Sequence, residues 1–330
     1  MESTGTQVAF FQHIKSLLPQ HKSLVDEVAD LLDISNDSSY RRIRGEKPIS
    51  LEEIQKLAEH YKISLDQFMH LHSDSFLFSG KLINSGNHNF ENWTESILQQ
   101  LQFANSFQKK HMTYLAKDIP VTQQFLVPEL AAFKSFFWRK SILHYDEMKG
   151  KKFSLGSIKS HHFDISRKIV EVYNQIGSTD IWNIESINST FRQIEFYREA
   201  NVFETDDDAK NLYTAVFRLI DHLEKQAELG VKFLVDESPK SNAAPYHLYN
   251  NELILGDNTV LFEMDNQKMT ILNHSIINII STRDETFNAY VYDVMQNLIK
   301  RSTSLSVSSE RERTLFFNQI RERIKLAAGL

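Results

Sequence analysis

The sequence predicts a mainly α protein in three parts: an amino-terminal bundle of short helices, a large helical region, and a small α+β unit. Three observations carry this expectation. Glycine and proline are scarce, at 10 and 6 in 330 residues, which favours helical stretches over turn-rich structure. Apolar residues recur at three- and four-residue spacing from Ser23 to about Gly230. After Pro245 that period gives way to short runs rich in strand formers and separated by turn residues. The expected organisation is 1–72 for the bundle, 73–89 for a linker, 90–245 for the helical region and 246–330 for the α+β unit. That last unit either stands alone or closes the preceding domain.

The bundle is the most legible part. Ser23 precedes Leu24, Val28, Leu31 and Leu32, spaced for one helix face. The turn Asp33-Ile34 leads to Ser35, whose hydroxyl suits the exposed amides at a helix start. The helix that follows carries Tyr40, Arg41, Arg42, Ile43 and Arg44, with Ser39 and Ile43 expected inward. It stops at Gly45, the residue type best suited to a left-handed helix end. Ser50 with Glu53, and Ser64 with Gln67, have the spacing of capping boxes for two more helices. A helix, a tight turn and an arginine-bearing second helix make the helix-turn-helix plan.

At these residues the chain resembles the Cro/C1-type, or XRE-like, regulators. The matching features are Val28-Ala29-Asp30-Leu31-Leu32, the turn into Ile34-Ser35, the exit Arg44-Gly45-Glu46-Lys47, the restart Ser50-Leu51-Glu52, and Ile63-Ser64-Leu65-Asp66. The resemblance implies a five-helix, lambda-repressor-like DNA-binding domain whose third helix enters the major groove. On that plan Ser35 caps the recognition helix, and Asn36, Asp37, Ser38 and Arg41 are candidates for base edges. Arg42, Arg44 and Lys47 are candidates for phosphates, while Tyr40 either joins one of these sets or packs inward. Arg42 stands near a place where the family commonly has an apolar residue. The competing reading of the same residues is a protein-binding bundle whose arginines form a solvated face.

Charge qualifies the DNA reading. The whole chain has a formal charge of −6, and residues 1–75 hold eight Lys/Arg against twelve Asp/Glu. Phosphate binding needs local positive potential, and Arg41–Lys47 supplies it with four bases and one acid. A single acidic bundle should hold double-stranded DNA weakly, so a homodimer reading two half-sites is expected. There are no cysteines, which excludes disulfides and thiolate-ligated metals and fits a cytoplasmic location. No apolar run approaches the ~20 residues of a membrane span, and the first twenty residues lack a signal-peptide core.

Farther along, helices are expected around Trp93, Ile97, Leu101 and Ala104, and after Pro128 through Phe133, Phe136 and Phe137. Others are expected from Ile165 to Ile176 with Gly177 as the stop, through Ile187, Phe191, Ile194 and Tyr197, and from a Thr205/Asp208 cap through Leu212, Val216, Leu219 and Leu223. Strands are expected at Glu252–Leu255, Thr259–Met264 and Met269–Leu272, then a helix opened by Thr282 and Glu285 and a last one opened by Ser309 and Glu312.

Chemistry-bearing clusters are sparse. His161-His162 with Asp164 is a weak metal pattern, since adjacent histidines point apart. Asp206-Asp207-Asp208 reads as helix-start charge. Lys149, Lys151 and Lys152 suit either a phosphate or a solvated loop, and Phe133, Phe136, Phe137 and Trp138 either a pocket or core. No phosphate loop, nucleophile elbow or zinc-protease pair is present, so neither an enzyme nor a cofactor is expected. The expected function is sequence-specific transcriptional regulation, with the large remainder holding a dimer and sensing a small-molecule, peptide or protein effector. The alternative is a non-enzymatic protein- or peptide-binding adaptor on a helical scaffold.

Overall fold

The computed structural model describes residues 3–18, 22–69, 75–82, 89–157, 164–253, 256–275 and 277–329. Two units result, Met1–Leu77 and Phe78–Leu330.

The first unit is helical: α1 (Ser3–Leu17), α2 (Leu24–Leu32), α3 (Asn36–Ile43), α4 (Leu51–Tyr61) and α5 (Leu65–Phe68). Phe10, Phe11 and Ile14 of α1 meet Val28, Leu32 and Leu57 in a core lined by half-buried Ile34, Ile43, Ile54 and Phe68. The helix ends are fixed locally. Asp33 takes φ 56°, and the Ile34 amide donates to the Ala29 carbonyl at 3.0 Å, which turns the chain sharply out of α2. Ser35 then caps α3 by accepting from the Ser38 amide at 3.3 Å. Gly45 closes α3 at φ 74°, with the Glu46 amide reaching the Arg41 carbonyl at 2.8 Å. Here glycine avoids the strain that a side chain meets in the left-handed region. Ser50 and Glu53 form both bonds of a capping box on α4. The side chain of Gln67, expected to pair with Ser64, lies outside the described residues.

The second unit runs β1 (Ser79–Gly80), α6 (Phe90–Asn105), β2 (Lys110–Leu115), α7 (Val121–Gln124), α8 (Pro128–Phe137) and α9 (Asp164–Tyr173). It continues with β3 (Gly177–Trp182), α10 (Asn188–Glu199), α11 (Asp206–Leu229), β4 (Tyr246–Asn250), β5 (Thr259–Met264), β6 (Gln267–His274) and β7 (Asn278–Thr282). It ends with α12 (Glu285–Lys300), β8 (Thr303–Ser304) and α13 (Glu310–Ala328). The strands form one sheet of order β1-β7-β6-β5-β2-β3-β4-β8. β2, β3 and β4 pair in parallel, and the remaining pairs are antiparallel. Met112, Phe262, Met264 and Ile271 pack with Trp93, Ile97 and Leu101 of α6. Leu261 packs with Val291 and Met295 of α12 in a separate cluster.

This sheet corrects several expectations. Residues 90–245 are not purely helical, because they contribute β2 and β3. Gly177, read as a helix stop, opens β3, every residue of which is buried. The boundary drawn at residue 246 falls inside one sheet, since β4 pairs with β3 and β5 with β2. Part of the expected linker is structure: β1 pairs with β7, and Phe78 meets Phe287 edge-on at 5.1 Å. A strand stands at Tyr246–Asn250 rather than at Glu252–Leu255, of which Ile254 and Leu255 lie outside the described residues.

Helix starts also differ in detail. Thr205 and Asp208 make the expected capping box on α11. Asp284, rather than Thr282, caps α12 by accepting from the Phe287 amide at 2.8 Å. Phe316, Phe317, Ile320 and Ile324 of α13 are buried, and Arg321 pairs with Asp221 and Glu224 of α11. These four apolar residues of α13 are therefore covered within its own chain, while Leu315 and Leu326 of the same helix are exposed.

Candidate nucleic-acid interface

α3 has one face locked and one face free. On the locked face, Ser39 is fully buried and its hydroxyl donates to the Val25 carbonyl of α2 at 2.9 Å. Ile43 packs into the apolar core beside it. Both residues point inward, in the register expected from spacing.

Arg42 is a correction. It was expected on phosphate, yet it is 7% exposed and belongs to the same inward face. Its Nε and Nη2 donate to the two carboxylate oxygens of Glu53 at 3.0 and 2.7 Å, and Nη1 donates to Ser38 Oγ at 2.8 Å. A charge where the helix needs an inward residue is stable only when paired and hydrogen-bonded. Glu53, at the start of α4, provides that pairing. The Arg42 hydrogen bonds hold its carboxyl below the usual carboxylate range, with the partial burial of Glu53 acting in the opposite direction.

Ser38 is drawn into the same lattice. It is half-buried, and its hydroxyl accepts from Arg42 and from Lys47 Nζ, the latter at 3.4 Å. Ser38, a candidate for a base edge, thus links two cations of this surface. Gln7 of α1, which sequence spacing did not single out, braces the exit from α3. Its amide donates to the carbonyls of Arg42 and Lys47 at 2.7 and 2.8 Å and accepts from the Ile49 amide at 3.1 Å.

The free face is a row at helical spacing. Asp37, Tyr40, Arg41 and Arg44 are all exposed, with Asn36 and Ser35 at the amino-terminal end of the row. Asn36 is tethered to α2, donating to Asp26 Oδ1 at 2.9 Å. Tyr40 is 46% exposed, so it does not pack inward. Arg44 lies over its ring at 5.5 Å, donates to its hydroxyl at 3.2 Å and pairs with Glu46 at 3.2 Å. Arg41 has no side-chain partner among the described residues. Of the four bases from Arg41 to Lys47, Arg42 is neutralised by Glu53 and Arg44 is partly engaged. Arg41 and Lys47 carry the remaining positive charge of this surface.

A family model described as the BetR domain matches residues 7–81. The amino terminus thus carries a DNA-binding domain of the helix-turn-helix type. The match begins at Gln7, the brace of the α3 exit, and covers the whole locked and free surface of α3. No curated protein and no solved structure matches the chain.

Outside the BetR domain the other sequence-level candidates take ordinary places. His161 and His162 lie outside the described residues, and no group able to hold a metal ion occurs among those described. Asp208 completes the cap of α11, and Lys149 pairs with Asp146 at 2.7 Å on the surface. Phe133 and Phe137 are core. Among the described residues no helix is long and apolar enough to cross a membrane.

Proposed function

We propose that this chain is a cytoplasmic, sequence-specific transcriptional regulator of the Cro/C1 type, not an enzyme, whose α3 lies in the major groove of duplex DNA. One observation carries the reading. The polar row Asp37, Tyr40, Arg41 and Arg44 stands exposed on a short helix whose opposite face is fixed to α2 and α4. A recognition helix needs this combination, since base contacts demand a rigidly placed set of side chains. Arg41 and Asn36 read base edges, with Asp37 rejecting or accepting bases at the helix start. Arg44 and Lys47 rest on phosphates, and Ser35 holds the helix end.

The reading gives distinct mutant signatures. Arg41→Ala changes sequence preference, with a loss of about 1–3 kcal/mol at the preferred base and little elsewhere. Lys47→Ala weakens all duplexes alike and lowers the salt slope by about one unit. Selection of duplexes from a random pool, followed by titration of selected and scrambled sites at two salt concentrations, separates the two. Equal losses on both duplexes for Arg41→Ala remove it from base reading. A pool from which nothing is retained favours the protein-binding adaptor instead.

The regulator acts as a homodimer. The support is electrostatic: eight bases against twelve acids in residues 1–75 leave one copy poorly suited to hold a polyanion. Sedimentation of the full chain at micromolar concentration is expected to give a dimer; a monomer with and without the selected duplex defeats the claim. The second unit supplies the effector response.

A further inference from the structure

Within the second unit, α6, α7, α8 and the inner face of β2, β5, β6 and β7 enclose a cavity of about 150 Å³. Its walls are largely apolar, with Trp93, Leu101, Met112, Trp138, Phe262 and Ile271 among them. Asp118 and Ile119 of its lining follow the carboxyl end of β2, the end of a strand where ligands of parallel α/β sheets commonly bind.

A cation is set into this apolar wall. Lys134 is 2% exposed, and its Nζ donates to Thr190 Oγ1 at 3.1 Å and Gln193 Oε1 at 2.5 Å. Two neutral acceptors leave one N–H without a partner, and Lys134 makes no ion pair among the described residues, Asp118 acting on its charge only from a distance. Buried charge without a counter-ion is costly. Trp93 Nε1 and Gln124 Oε1, from two other lining residues, are also buried without hydrogen-bond partners. Lys134, Trp93 and Gln124 thus present polar atoms to a chamber whose lining mixes apolar side chains with Thr122, Ser189, Asn258 and Asn273, the arrangement of a small-molecule site.

We propose that this cavity binds a small monocarboxylate with an apolar body, its carboxylate seated on Lys134. The volume fits a single ring or a short chain, since a cavity of about 150 Å³ holds benzene. Asp118, at the β2–α7 connection, is the other charged group lining the chamber and disfavours a second negative charge on the ligand. This gives the effector of the proposed regulator a chemical class. It rests on that reading only for its consequence at DNA; binding itself does not.

The titratable groups facing Lys134 in the cavity are Asp118 and Tyr114. Burial pulls the Lys134 ammonium down to about 7, opposed by Asp118. Tyr114 is pushed up by burial and stays neutral. Carboxylate binding therefore takes up a proton near neutral pH, and affinity falls about tenfold between pH 6 and pH 8.

The test uses the full chain without DNA, titrated with benzoate and hexanoate, and with benzamide and hexanamide as neutral counterparts. Calorimetry and tryptophan fluorescence follow binding, since Trp93 and Trp138 line the chamber. The expected result is carboxylate affinity at least tenfold above the amide, falling with pH as stated. Lys134→Met abolishes the difference, and Ile271→Trp, which fills the chamber, abolishes binding of acid and amide together. Should Lys134→Met fail to fold, the wild-type pH profile and Ile271→Trp decide. Acid and amide binding equally, a flat pH profile, or no binding in the millimolar range overturns the proposal.

Discussion

Arg42→Ala is expected to unfold the amino-terminal unit well before the rest of the chain. Removing one partner of a buried, hydrogen-bonded ion pair costs about 3–5 kcal/mol, and the partial exposure of Glu53 places this pair near the lower end. A domain of this size has little more than that in hand, with total stabilities of about 5–15 kcal/mol being usual. Arg42→Lys does not rescue, because an ammonium cannot match both oxygens of Glu53 and reach Ser38 at once. The measurement is direct, since Trp93, Trp138 and Trp182 all lie in the second unit. In urea, tryptophan fluorescence follows that unit alone while far-ultraviolet circular dichroism follows both. The variant should lose its first dichroism transition at lower urea with the fluorescence transition unmoved. An unshifted first transition would refute the internal role of Arg42.

The same pair sets an acid limit. The folded pKa of Glu53 is lowered, chiefly by Arg42, so its contribution is present above the ordinary carboxylate pKa of about 4.3 and lost as pH falls through the folded value. Arg42→Ala should therefore flatten the pH dependence of the first transition below about pH 4.5. Loss of DNA binding in this variant would follow unfolding, whereas Arg41→Ala should leave the transition in place.

How far the fold could be read depended on how local its causes are. The ends of α2, α3 and α4 were legible because Ser23, Ser35, Gly45 and the Ser50/Glu53 box act within a few residues of themselves. The inward register of Ser39 and Ile43 followed from the same spacing. Arg42 was misread because its role is set by Glu53, 11 residues away on another helix. The signal was present, in a charge at a position where the family prefers an apolar residue. β5 was legible from its apolar run and the Asp265-Asn266 turn. β2 and β3 were not, because a strand buried on both faces shows no alternation. In β3 the buried residues include Ser178, Thr179 and Asp180, and the partners of Thr179 and Asp180 come from distant segments. The cavity was invisible for the same reason, its lining being drawn from α6, α8 and four strands.

Asp180→Asn is expected to make the second unit progressively more stable than the wild type as pH rises from about 4 to 7. Asp180 is fully buried on β3. Its Oδ2 accepts from Gln123 Nε2 at 2.5 Å and from the Tyr246 hydroxyl at 3.2 Å, while Oδ1 has no hydrogen-bond partner. Lys232, also buried, donates to the carbonyls of Tyr173 and Ile176 at 3.2 and 2.8 Å and lies over the Tyr173 ring at 3.4 Å. Burial pushes the Asp180 carboxyl up to about 6, against the pull of Lys232. The folded chain therefore holds this proton more tightly than the unfolded chain, whose carboxyl titrates near 3.9. Stability falls as pH rises between those values, and above them the native state carries a buried charge costing roughly 3 kcal/mol. Asparagine keeps an acceptor for Gln123 and Tyr246 and has no charge to bury, but it also removes the counter-charge that favours the buried Lys232 ammonium, which offsets part of the gain. The two proteins should match near pH 4 and diverge at neutral pH by less than the roughly 3 kcal/mol that the Asp180 charge alone would give, read from the tryptophan transition in urea. A variant weaker by the same amount at every pH would mean that the carboxylate earns its place through hydrogen bonds alone.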